Sequence, residues 1–257
     1  MKPANPEPAN SEHDKAPVLI VVDTENYSPA TIQLAVEIAA SLQTGLRGLF
    51  IENENLLRVA ELPFSREITS TSGDRPLNVA VIQRSMRAMA NQFKEYLAQT
   101  AQASQVHWSY HYICGSVDKI GADYGQDAIC TIVGKTVFRQ SISRRYRRIF
   151  KVLIIDNDSL HLNNTLQTLL RKFEGEEVEV MLVSEQKSPK VPTASLLQDA
   201  RQKLVRFSVI ELEKNQLAAF LAGAGNTFDY AIVSRHEPTD SLRAILNNTL
   251  CPVITVS

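Results

Sequence analysis

One pattern occurs twice in this chain and constrains its fold more than any other. A run of apolar residues closes on an aspartate, and an amphipathic helical pattern follows. The first copy is APVLIVVDTENYSPATIQLAVEIAASL, residues 16–42. Residues 18–22 read as a strand closed by Asp23, since an unbroken apolar run fits a strand covered on both faces of a parallel sheet. Ser28 and Pro29 form a helix start, with Ser28 expected to cap and Pro29 suited to the first helical position. Leu34, Ile38 and Leu42 then recur at helical spacing. The second copy is KVLIIDNDSLHLNNTLQTLLRKF, residues 151–173, with strand 152–155, Asp156, Ser159 as cap, and Leu162, Leu166, Leu169 and Phe173 on one helix face. Two such units a domain length apart predict two copies of one α/β fold.

The chain between and beyond these units fits that expectation. After a polar, proline-containing tail at 1–15, expected to be disordered, the first half (16–150) reads as strand 18–22, helix 29–42, strand 45–51, a short helix within 52–66, a loop at 67–76, helix 77–104, strand 106–114, a short helix at 116–124, strand 127–134 and a basic helix at 138–150. In the long helix Ile82, Met86, Met89, Phe93 and Leu97 make a core stripe. In strand 106–114, His107, Ser109 and His111 alternate with Trp108, Tyr110 and Tyr112, so the aromatic side is expected to face the core. The second half (151–257) gives strands at 152–156, 177–183, 208–212, 230–234 and 252–256. Helices are expected at 160–173, 194–205, 216–224 and 240–248, with a proline-bounded linker at 189–192. Alternation of this kind predicts a parallel sheet with helices on both faces. The first half shows no fifth strand of its own: either that strand is lost, the reading favoured because Asp156 and the helix after it match a first strand, or the strand at 151–156 serves both sheets. Its fourth strand should therefore leave an edge that must be covered or used for association.

Composition removes several function classes. The 257 residues carry 27 Lys and Arg against 28 Asp and Glu, a formal net charge of −1. No overall field draws the chain to nucleic acid or to an anionic membrane, and neither partner is expected. No apolar run approaches the roughly 20 residues that span a bilayer, and the first residues lack the apolar core of a signal peptide. The three cysteines, Cys114, Cys130 and Cys251, lie in or beside apolar runs and never at C-x-x-C spacing. Buried, reduced thiols in a cytoplasmic protein are expected, with no metal site. No G-x-S-x-G, H-E-x-x-H or P-loop is present, and His13, His107, His111, His161 and His236 are scattered, so no catalytic residue is assigned. The LIIDNDS run is similar to the acidic strand end of a response-regulator receiver, but the third strand of that half is followed by Glu213 instead of ending in an aspartate.

The residues that carry most of the pattern point to a family. VLIVVDTENYSPATIQLAVEIAASL, GLRGLFIENENLLRVAELPFSRE and the ending DYAIVSR…SLRAILNNTLCPVITVS resemble a tandem universal stress protein. The resemblance implies a five-stranded parallel sheet in each of two paired domains, 16–150 and 151–257, the first without its last strand. It also implies a stress-response role. Members of that family that bind ATP carry G-x-x-G, nine residues, then G-[S/T] after the fourth strand, and an Asp ending the first strand helps hold the adenosine. Here Asp23 and Asp156 match that aspartate, and Gly134 matches the first glycine. No glycine follows Gly134 until Gly175, and Ser234 replaces the first glycine in the second half. Without those glycines a backbone cradle for phosphates is not formed. The expectation is therefore a non-enzymatic protein that acts through an unidentified protein partner and uses no cofactor. The alternative is an ATP or AMP sensor built on Asp23, Gly134 and Lys135, with the arginines at 139, 144, 145, 147 and 148 supplying charge. A homodimer and intramolecular pairing of the domains are the two assemblies left open.

Overall fold

The first apolar run forms β1 (Val18–Asp23), and all six of its residues are buried. The structure is a computed structural model that describes residues 15–24, 26–69, 73–115, 124–125, 127–134, 149–155, 162–184, 205–213, 216–224, 227–234 and 239–256. Beyond β1 the first half contains α1 (Pro29–Leu42), β2 (Leu46–Asn53), α2 (Glu54–Ala60), β3 (Arg66–Thr69), β4 (Gly73–Pro76), α3 (Val79–Ala103), β5 (Trp108–Gly115) and β6 (Cys130–Val133). The second contains β7 (Ile149–Ile155), α4 (Leu162–Lys172), β8 (Glu177–Ser184), β9 (Val205–Glu211), α5 (Leu217–Ala224), β10 (Tyr230–Ser234), α6 (Thr239–Asn248) and β11 (Val253–Val256).

Nine strands make one sheet in the order β5-β2-β1-β6-β11-β10-β7-β8-β9. Within each half neighbouring strands run parallel. The second half holds a full five-strand set, and the first holds four. At the junction β11 lies antiparallel to β6, with Val253 opposite Val133 and Ile254 opposite Ile132. Among the described residues the first half contributes no fifth strand, and the last strand of the chain lies beside its fourth and covers that edge. Because the junction is antiparallel, the carboxyl ends of the two parallel sets lie on opposite edges of the sheet. Amides of β6 are expected to exchange as slowly as those of the interior strands; rapid exchange across 130–133 would contradict the β6–β11 pairing.

Alternation of side chains loads both faces. Val152 and Ile154 of β7 enter one cluster with α1, α3 and α4, whereas Leu153 and Ile155 pack beneath α5 and α6. The first face also ties the halves together, since α1 packs on α4. There Thr168 Oγ1 lies 2.9 Å from Ser41 Oγ, and Lys172 Nζ lies 3.4 Å from Glu37 Oε2. α3 reaches the sheet closely because Gly48 has no side chain; a Cβ there would collide with Leu97 and sit 3.2 Å from Phe93 Cζ.

Local expectations need correction at several points. Ser28 is the residue before α1 but makes no side-chain cap bond, so Pro29 marks the start instead. The stretch expected as a loop at 67–76 holds the antiparallel hairpin β3–β4. Ile149 and Phe150, read as the end of a basic helix, begin β7, and Val205, read as helix, begins β9. Cys114 is exposed, while Cys130 and Cys251 are buried as expected. β5 is the outer strand, so its aromatic side is only partly covered: Trp108 and Tyr110 pack on the core, but Tyr112 is 38% exposed.

Candidate functional site

In the first half the chain leaves β1 toward β2 on one side, while β6 lies on the other, so the order reverses between β1 and β6. Crevices at such switch points, outside the carboxyl ends of the strands, are where open α/β sheets take ligands. Asp23 ends β1 at this point and is only 3% exposed. Its Oδ1 accepts hydrogen bonds from Asn26 N and Asn26 Nδ2, each at 2.8 Å. That pair folds the loop after β1 back over the strand end, a turn that an Asp side chain can hold. Thr24 in the same loop has a buried hydroxyl with no hydrogen-bond partner among the described residues.

Gly134 follows β6 and donates from its N–H to Val21 O at 2.9 Å. A Cβ at Gly134 would lie 2.5 Å from Asn26 O and 3.1 Å from Val22 Cγ1. The Asn26 carbonyl therefore fills the space that the missing side chain leaves. Asp23 and Gly134 are brought together, as the sequence suggested, but through Asn26. Lys135, the arginines at 139–148, Asp156, Ser159, His161 and His236 lie outside the described residues. In the second half Ser234, which stands where the first half has Gly134, is 1% exposed at the end of β10.

A second polar cluster, which the sequence reading missed, lies at the ends of β2 and β5. Glu52 is 8% exposed, and the phenol of Tyr112 donates to its Oε2 at 2.6 Å. Glu52 Oε1 is buried without a partner. Asp23 is level with Ile51, so Glu52 falls on the opposite face of the sheet and does not join Asp23. The signal was present in LFIEN, where an acid closes an apolar run as Asp23 does. Burial, then the hydrogen bond to Glu52, raises the Tyr112 phenol above its usual pKa, with Arg87 opposing. Burial alone pushes Tyr110 up to about 12. A proton held more tightly in the folded state gives stability that is complete below pH 10 and is lost as pH rises through the folded value. Stability is expected to fall above pH 10, and Tyr112→Phe should flatten that fall, read from urea midpoints across pH 8–11. The same substitution strips Glu52 of its donor and should cost about 1–3 kcal/mol at neutral pH.

Cys114 stands near this cluster. Partial burial, Glu52 and Glu54 raise its thiol, which disfavours the nucleophilic thiolate. Among the described residues no three His, Cys, Asp or Glu side chains converge to hold a metal ion. Among the same residues no helix is long and apolar enough to cross a membrane.

No family model matches the chain, and no curated protein matches it. Solved structures do. The chain is similar to a universal stress protein from Archaeoglobus fulgidus DSM 4304, with 11% identity, coverage of 95% of this chain and 97% of that one, and a TM-score of 0.44. It is also similar to a functionally unknown protein from Pseudomonas aeruginosa PAO1, with 10% identity over 95% and 92% of the two chains and a TM-score of 0.40. A third likeness is to the cytoplasmic domain of a prokaryotic cation chloride cotransporter, with 11% identity over 94% and 95% and a TM-score of 0.39. The architecture given above rests on the strand order, not on these likenesses.

Proposed function

We propose that this chain is a non-enzymatic, cytoplasmic stress-response protein that acts through protein contacts and uses no nucleotide. One observation carries the reading. At the switch point Asn26 O lies 2.5 Å from where a Cβ of Gly134 would be, and Asp23 is bonded to the same Asn26. Gly134 thus serves the packing of the β1–α1 loop, and the aspartate that would hold an adenosine is engaged within the chain. The lack of any glycine between Gly134 and Gly175 supports the same conclusion, because a phosphate cradle needs backbone N–H groups free of side-chain hindrance.

A nucleotide sensor is the second reading, favoured by the meeting of Asp23 and Gly134 at the carboxyl end of the sheet. Mass spectrometry of the purified chain under non-denaturing conditions separates the two. The first reading expects no co-purified ATP, AMP or cyclic dinucleotide. Stoichiometric nucleotide that disappears in Asp23→Ala would establish the sensor.

A further inference from the structure

We infer that the outer edge of β5 is a strand-addition site for an extended acidic segment of a partner protein. The inference rests on the protein-contact reading above and names the surface that would serve it. Among the described residues β5 ends the nine-stranded sheet and pairs only with β2. Ser109, His111, Tyr112 and Cys114 along it are exposed. Sheet edges in natural proteins are guarded by Lys, Pro, charge, bulges or shortness. The eight residues WSYHYICG carry none of these guards. The opposite edge differs, since β9 bears exposed Arg206 and Glu211.

Cations flank the β5 edge on both faces. On the α3 face, Lys94 Nζ stands 5.7 Å over the ring of Tyr110, and Arg87 lies against Tyr112. On the other face, Arg47 of β2 is level with Ser109. None of the three forms an ion pair with a carboxylate among the described residues. Two acids stand near Cys114 at one end of the edge: Glu52 is buried and turned to Tyr112, and Glu54 is paired with Arg58 at 3.5 Å. A second copy pairing through β5 would set like charges together, which costs affinity. An acidic strand would gain main-chain hydrogen bonds along the edge and ionic contacts on both faces. At one end of the edge, α2 packs on both β5 and α3. Val59, Leu62, Phe64 and Val81 of that region are exposed, Phe64 by 76%, and give a partner side chain an apolar seat.

The test uses the full chain and three labelled probes: an extended peptide alternating valine and aspartate, its valine–lysine counterpart, and a short oligodeoxythymidine. The proposal expects the acidic peptide to bind about tenfold or more tightly than the basic one and to slow amide exchange in 108–115. The exposed double variant Arg87→Glu/Lys94→Glu, folded by circular dichroism, should reverse that preference. Equal binding of both peptides, no binding, or protection elsewhere would overturn it. So would oligonucleotide binding at β5 without peptide binding, or a dimeric free protein whose β5 amides are already protected. Nucleotide titration is independent of these readouts. Failure at β5 without nucleotide binding removes only the site, whereas nucleotide binding removes the protein-contact reading itself.

Discussion

Ile254→Ala, a change in the last strand of the chain, is expected to lower the stability seen by Trp108, which lies in the other half. Ile254 is fully buried and sits between Ile232 of β10 and Ile132 of β6. Its side chain belongs to the cluster that α1, α3 and α4 cover together. Removing it opens a cavity in the middle of the sheet, at a cost of about 2–5 kcal/mol. Trp108 is the single tryptophan, so its emission reports the β2–β5 region alone. If β11 joins the two parallel sets into one sheet, the Trp108 midpoint in urea and the far-ultraviolet midpoint shift together. If the halves were independent, the Trp108 midpoint would stay in place while the ellipticity transition split.

Gly134→Ala is expected to be the second large effect. The added methyl would sit 2.5 Å from Asn26 O, a contact that heavy atoms do not tolerate, and Asn26 is pinned by its two bonds to Asp23. Either the β1–α1 loop shifts or β6 moves against β1. Overpacking of this kind costs about 1–3 kcal/mol. Asp23→Ala should cost about 1–3 kcal/mol by releasing Asn26. The two changes act on one loop, so the double variant should lose less than the sum of the singles. Strict additivity in urea midpoints would mean that Asp23 does not hold Asn26 against Gly134.

The sequence made the architecture legible where its signals were local. The apolar runs at 18–22 and 152–155 became β1 and the core of β7, and the count of four strands against five foretold an edge at β6. Where the solution was not local, the sequence was silent. Nothing in CPVITVS shows that β11 would turn antiparallel to β6, because pairing between distant strands is set by packing and not by propensity. The hairpin β3–β4 was hidden by Gly73 and Pro76, which mark turns as often as strand ends. The same limit applies to the site. Asp23 and Gly134 were readable as residue types at strand ends, but Asn26 between them was not, since its role is a carbonyl placed in space. Glu52 was not legible as a site residue, because the alternation of β2 carries it to the face away from Asp23 and its partner Tyr112 lies 60 residues on.

The most direct test of the functional account is calorimetric titration of the purified chain with ATP, beside Asp23→Ala. With Asn26 in place over Gly134, neither protein is expected to give saturable heat at millimolar ATP. Micromolar ATP binding by the native chain that is lost in Asp23→Ala would contradict it and make the first half a nucleotide sensor.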